Sequence, residues 1–179
     1  DSSRQPTLKT SVINGNQVVR IQNQSNNHYL DTGAISAISS GWTVYVVGQF
    51  SSTGGGITNA FGGLEDGGGN PYFGENNQQW ALNSGGSEIR GSSEDTNPHI
   101  WGFKLTSTAD GTLRLDGSDD VTGSITDDNI DAVTLGARGS DDYGSDWDAG
   151  EVLVYNKHLS SSEDSDVESY LSDKCGITV

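Results

Sequence analysis

Positive charge is scarce in this chain. Its 179 residues carry 9 lysines and arginines against 25 aspartates and glutamates, a formal net charge of −16. A surface of that sign repels nucleic-acid phosphates and anionic lipid, so neither is expected as a partner. Methionine is absent, proline occurs three times and cysteine once. One cysteine excludes an intrachain disulfide without deciding between secreted and cytosolic settings. No apolar run approaches the roughly 18 residues that a membrane-spanning helix needs. No signal peptide is visible, and Asp1-Ser2-Ser3 is expected to be a processed or excised start. The chain also has no G-x-S-x-G, no H-E-x-x-H, no phosphate loop and no Cys/His metal cluster.

Glycine, in contrast, is plentiful, at 25 residues. Gly-rich turns between short β-branched runs favour an all-β sandwich or barrel. Val18 to Ile21 and Tyr29 to Asp31 read as opening strands. Ile57 to Leu64 reads as part of a hairpin between Gly-rich loops, and Trp80 to Leu82 and Glu88 to Arg90 as short strands. Neither a domain boundary nor an internal repeat is visible, so residues 1–179 are expected to form one domain. A chain this acidic suits high salt, calcium-rich water or a neutral ligand.

The C-terminal thirty residues are the most specific part. Glu151-Val152-Leu153-Val154-Tyr155 reads as a strand, and a polar break leads from it into a helix. Ser160 with Glu163 three residues on forms a capping box. Val167, Leu171 and Cys175 recur at four-residue spacing, so one helix face is apolar. Cys175 on that face reads as a buried structural thiol. Gly176 supplies the stop.

This tail resembles the end of the LamG-like, concanavalin A-type jelly-roll domains, with Cys175 where an aromatic is usual. Further segments are similar to the family's other strands, in order. They are Thr43 to Gly48, Pro98 to Leu105, Asp110 to Gly117 and Val133 to Gly139. The resemblance covers about residues 10–179. It implies an all-β fold of two antiparallel sheets with a C-terminal α-helix. It does not fix a function, because the fold carries lectins, binding modules, adhesion domains and enzymes.

Retaining glycanases on this fold place carboxylates two or four residues apart on one strand, as in E-x-D-x-E, so that they share a face. No such string occurs, and Glu88 has no partner acid in register. The lyase motifs R-[ST]-E, Q-[IV]-H and Y-F-K-x-G are also missing; Tyr72-Phe73-Gly74 lacks the lysine. His28, His99 and His158 are isolated, and His99 reads as a strand-edge histidine.

Two constellations remain. Ser140 to Asp148 is dense in aspartate, and calcium favours six to eight oxygen ligands from such loops. Asp141, Asp142, Asp146 and Asp148 are therefore candidate Ca²⁺ ligands; the competing reading is a solvated acidic loop. Sugar contact needs exposed aromatic faces with amides, acids and arginines beside them. Asn70 to Trp80 reads as a loop of that composition, giving Tyr72, Asn76 and Trp80 as candidates, and Arg90 adds a rare cation, as does Arg138. Tyr143 and Trp147 form a second cluster. Trp42 and Trp101 lie within or beside apolar strands and read as core, while Trp80 fits either the core or a ligand face.

The expectation is a non-catalytic carbohydrate-binding module or adhesin domain that recognises a polysaccharide outside the cell. It would be part of a larger secreted or surface protein from a marine or halophilic source. Two alternatives stay open: a glycoside hydrolase or polysaccharide lyase, and a structural surface or virion domain that binds no sugar.

Overall fold

Tight turns organise the strands. Four hairpins close through two-residue loops in which both residues have positive φ: Asn14-Gly15, Asn77-Gln78, Gly85-Gly86 and Asp116-Gly117. Positive φ at both positions is the mark of the type I′ turn, whose twist matches that of the strands it joins. The computed structural model describes residues 5–22, 28–39, 41–53, 57–62, 71–126, 129–137 and 144–179.

Among these residues the strands run β1 (Thr7–Ile13), β2 (Asn16–Gln22), β3 (Leu30–Asp31), β4 (Trp42–Phe50) and β5 (Ile57–Gly62). Then come β6 (Tyr72–Asn76), β7 (Gln79–Ser84), β8 (Ser87–Ser93), β9 (His99–Leu105) and β10 (Asp110–Leu115). β11 (Ser118–Ser124), β12 (Thr134–Leu135), β13 (Asp146–Tyr155) and helix α1 (Ser161–Cys175) complete the order. They form two antiparallel sheets, as the jelly-roll reading requires. The seven-stranded sheet has the order β1-β2-β13-β4-β9-β10-β11, and the six-stranded sheet β3-β12-β5-β6-β7-β8.

Side chains alternate across a strand, so each strand of the sandwich sends every second residue inward. Trp42, Val44, Val46 and Phe50 do so from β4, Trp101, Phe103 and Leu105 from β9, and Phe73, Trp80 and Leu82 from β6 and β7. The resulting core is rich in rings. Phe73 stacks on Phe103 at 5.0 Å, and Phe50 lies 5.1 Å from Trp80. All four tryptophans are at most 1% exposed, which bears out the core reading of Trp42 and Trp101.

Two sequence readings need correction. From residue 71 to 80 the stretch read as a loop contains β6, the turn at Asn77-Gln78 and the start of β7. The acidic segment before EVLVY is itself strand from Asp146 onward. A bulge at Gly150 then resets the alternation, because Ala149 pairs with Gly48 while Glu151 pairs with Val47. Trp147 and Ala149 before the bulge face the core, as do Val152 and Val154 after it. Glu151 is thereby turned to the outer face.

Helix α1 lies on the outer face of the seven-stranded sheet. Leu171 is fully buried there with Cys175, Ile177, Tyr45, Val47 and Ile100, and Val167 packs at the margin. The capping box is present in full: the Ser160 hydroxyl accepts from Glu163 N, and the Glu163 carboxylate accepts from Ser160 N at 2.9 Å. Lys157 and the Ser160 groups hold the Glu163 carboxyl down at about 2. At the other end the side-chain amides of Asn14 and Asn16 donate to the carbonyls of Lys174, Cys175 and Gly176 at 2.9–3.1 Å. The β1–β2 hairpin thus satisfies helix-end carbonyls that have no partner within the helix.

Beneath the helix sits a buried ionic cluster. Asp164 and Glu168 are four apart and share a face. The Tyr45 hydroxyl lies 3.0 Å from Asp164 Oδ1 and 3.1 Å from Glu168 Oε1. Lys104 Nζ pairs with Asp164 and donates to the Leu159 carbonyl at 2.8 Å. Arg114 grips Glu168 with Nε at 2.7 Å and Nη2 at 3.0 Å. Burial, reinforced by the two carboxylates, pushes the Tyr45 phenol far above its usual range. The Tyr45 ring fills the space over Gly102, where a Cβ would approach it to 2.7 Å.

Removing one partner of a buried pair strands the other charge, which costs about 3–5 kcal/mol. Asp164→Ala should lower unfolding stability by that order in a denaturant titration. Adding Lys104→Met to the same chain should restore most of the loss. A double variant as unstable as the single one would show that helix docking does not depend on this pair.

Candidate functional site

The outer face of the six-stranded sheet carries a polar row. Phe73, Leu82 and Ile89 point into the core, so Tyr72, Asn83 and Glu88 point outward. Strand register extends the row across the whole sheet as Asp31, Thr134, Gly62, Tyr72, Asn83 and Glu88. Asp31 is exposed at one end and Arg90 is exposed beside the other. Between them the floor is buried: Thr134 is 0% exposed, Tyr72 6% and Asn83 8%. Asn76 Nδ2 donates to both Glu88 oxygens, at 3.0 and 2.8 Å, and the Arg90 guanidinium pairs with the same carboxylate.

Two atoms on this floor have no hydrogen-bond partner, Asn83 Oδ1 and Thr134 Oγ1. A buried polar atom left unpaired costs about 1–3 kcal/mol. The whole row can accept and donate many hydrogen bonds. For acid–base chemistry on a sugar Glu88 lacks an acid beside it: Asp31 lies five strands away, and the position two residues along β8 from Glu88, on the same face, is Arg90.

The structure therefore brings three of the expected ligand residues, Tyr72, Asn76 and Arg90, onto one face, with corrections to their roles. Tyr72 does not present an exposed ring. Trp80 is 1% exposed and belongs to the core. Trp147 is 0% exposed, its six-membered ring lying against Gly48, where a Cβ would come within 2.6 Å. Inward alternation from a strand explains both tryptophans. Tyr143, Asp141, Asp142 and Arg138 lie outside the described residues. Asp148 is 5% exposed, and both of its carboxylate oxygens are held by Arg20, with Nε at 2.7 Å and Nη2 at 2.8 Å. Asp146 is half-buried on the same strand. Among the described residues no group of three or more His, Cys, Asp or Glu is arranged to hold a metal ion. Sequence reasoning missed Thr134, Asn83 and Glu88 as members of the face. Asn83 was within reach, since it directly follows Leu82, where the strand read from the sequence ends one residue short.

No protein-family model matches the chain, and no curated protein sequence matches it. Solved structures do resemble it. The binding domain of Paraclostridial Mosquitocidal Protein 1 superposes with a TM-score of 0.70 at 12% identity, over 93% of this chain and 46% of that one. Botulinum neurotoxin type C, whose cell entry depends on interaction with two ganglioside molecules, gives 0.57 at 8% identity, over 87% of this chain and 39% of that one. A mutant Trypanosoma rangeli sialidase displaying trans-sialidase activity gives 0.56 at 20% identity, over 78% and 24%. The chain spans less than half the length of each of these three proteins. At such identities the likeness shows the fold, a two-sheet β-sandwich. No helix among the described residues is long and apolar enough to cross a membrane.

A second polar cluster closes the end of the sandwich. His99 opens β9, as its reading at a strand edge anticipated, with Nδ1 2.6 Å from Asp116 Oδ2 and Nε2 3.0 Å from Asp95 Oδ1. Its ring packs beside Trp80 and Trp101, at 6.1 and 5.5 Å. Burial alone would lower the imidazole pKa, but the hydrogen bonds and charges of Asp116 and Asp95 outweigh it and raise the value above 6.5. A raised folded-state pKa contributes stability that is complete below the unfolded value and lost as pH rises through the folded one. Melting temperature should therefore fall as pH climbs above 6.5. His99→Gln should flatten that slope. A slope unchanged in the variant would assign it to other groups.

Proposed function

We propose that this chain is a non-catalytic glycan-recognition domain that works outside the cell, with the polar row of the six-stranded sheet as its ligand face. The observation that carries this reading is the pair of unpartnered buried atoms, Asn83 Oδ1 and Thr134 Oγ1, on a floor flanked by Asp31, Glu88 and Arg90. Sugar hydroxyls donate and accept at once, so one ligand hydroxyl can satisfy such an acceptor and still bond a neighbour. Support also comes from the fold's company, which includes a toxin that interacts with gangliosides. The concanavalin A-type likeness of the tail points the same way. Arg90 in place of a second acid favours recognition over hydrolysis. Secretion fits a strongly acidic chain with a single, buried cysteine.

The test is equilibrium binding of the chain to a panel of plant, algal and host glycans, with reducing-end release followed in parallel. Binding without release is the expected result. Asn83→Ala should weaken the bound glycan about 2- to 10-fold, the worth of one hydrogen bond. Arg90→Ala, which frees the Glu88 carboxylate from its guanidinium, should weaken it at least as much. Melting should change little for Arg90, which is exposed. Released reducing ends, or glycan affinity indifferent to both variants, would sink the proposal.

A further inference from the structure

The seven-stranded sheet has a trough of its own on the opposite side of the sandwich. Helix α1 covers only part of that sheet's outer face. Past the helix end, strand register places Arg20, Asp148 and Gln49 side by side on β2, β13 and β4. One outward step toward the helix come Val18 on β2 and Val47 on β4, with the bulge residues Gly150 and Glu151 between them. Two cavities occupy these consecutive rows. The one at the helix end holds about 270 Å³ over a floor of Ile13, Val18, Val47 and Cys175. The other holds about 490 Å³ and is lined by Arg20, Asp148, Gln49, Thr96 and Ser51 among others.

Each cavity presents one acid–base pair. Lys174 Nζ lies 2.8 Å from Glu151 Oε2, and the Tyr170 hydroxyl donates to Glu151 Oε1 at 3.1 Å. Arg20 and Asp148 form the second pair, in two-point contact. Gln49 Nε2 donates to the Thr96 carbonyl at 2.7 Å, which orients its amide in the trough. Tyr170 is 48% exposed and its hydroxyl bonds to both Glu151 and Lys174 of the first cavity's lining, with Lys174 Nζ 5.4 Å from its ring centre.

We propose that this trough is a second glycan-binding site, selective for a chain of uncharged sugars. Every cation in it is already matched by an acid. A uronate or sulfate would meet Asp148 and Glu151 with no spare positive charge, in a protein of net charge −16. A cationic ligand would have to displace Lys174 or Arg20. A hydroxyl suffers neither conflict, since it accepts from the cation and donates to the acid of the same pair. The exposed Tyr170 ring can take the apolar face of a sugar ring. Two acid–base pairs in successive rows, roughly 7 Å apart along a strand, call for two or more linked sugars. Sites on both faces of one sandwich would let the domain bridge two polysaccharide chains and bind a polymer with avidity.

The experiment is a backbone amide NMR titration of the chain with cellohexaose, xylohexaose and mannohexaose, and with hexagalacturonate as the anionic comparator. A neutral hexasaccharide should shift Gln49, Thr96 and Glu151. The midpoint of these shifts should be unchanged in Asn83→Ala, which weakens only the opposite face. Gln49→Ala combined with Tyr170→Ala should weaken them about five-fold or more, as the loss of a hydrogen bond and a ring contact implies. If Asn83→Ala weakens them as much as it weakens the opposite face, the trough is not an independent site. Silence at these residues with all three neutral sugars, or a response to hexagalacturonate alone, would also overturn the proposal. Trough shifts with no binding at the six-stranded sheet would uphold this inference while defeating the first one.

Discussion

The docking of helix α1 through a buried hydroxyl is the constraint on which the sandwich depends. Tyr45 projects from the central strand β4 into the space between Asp164 and Glu168, and Lys104 and Arg114 close the cluster from β9 and β10. Two carboxylates this near each other repel unless each has a cation. The sheet supplies one for each. Leu171 and Cys175 then bury their apolar surface beside the cluster, and the helix axis is fixed against three strands at once. Only because the helix stops where Asn14 and Asn16 meet its last carbonyls is the remainder of that sheet face left open.

Cations are used sparingly and locally. Among the described residues, Arg20, Arg90, Lys104, Arg114, Lys157 and Lys174 each pair with an acid, and only Lys9 forms no ion pair. The excess negative charge is thus uncompensated on the surface, while the two polar faces are close to neutral. A domain built this way repels polyanions at long range and meets uncharged ligands without a penalty.

Much of the fold was legible because its signals are local. The capping box at Ser160 and Glu163 needs only four residues to be read, and the apolar spacing of Leu171 and Cys175 only one more turn. Asn14-Gly15 and Asp116-Gly117 announce their turns by composition. Asn77-Gln78 makes the same turn without a glycine, so β6 and the head of β7 read as loop, Tyr72 reads as an exposed ring and Trp80 fits core and ligand face equally. Trp147 was misplaced for a related reason. The aspartates around it suggest a solvated loop, yet Arg20, distant in sequence, neutralises Asp148 and lets the strand begin early. The polar row was legible only in pieces, because it is assembled by pairing six strands, and pairing partners are not written in local pattern.

The position of β13 has a consequence for biogenesis. It lies between β2 and β4, so the β1–β2 hairpin reaches the rest of its sheet only through a strand made more than a hundred residues later. The Asn14 contact to Cys175 spans a separation of 161 residues. Until Tyr155 has left the ribosome, the long edge of β4 has no partner on that side, and an unpaired edge of Val and Tyr residues is a template for wrong pairing. Folding dominated by such distant contacts is slow. The acidic character of the chain then has a use before any ligand is met: like charges on neighbouring nascent chains keep those open edges apart until the last strand closes the sheet.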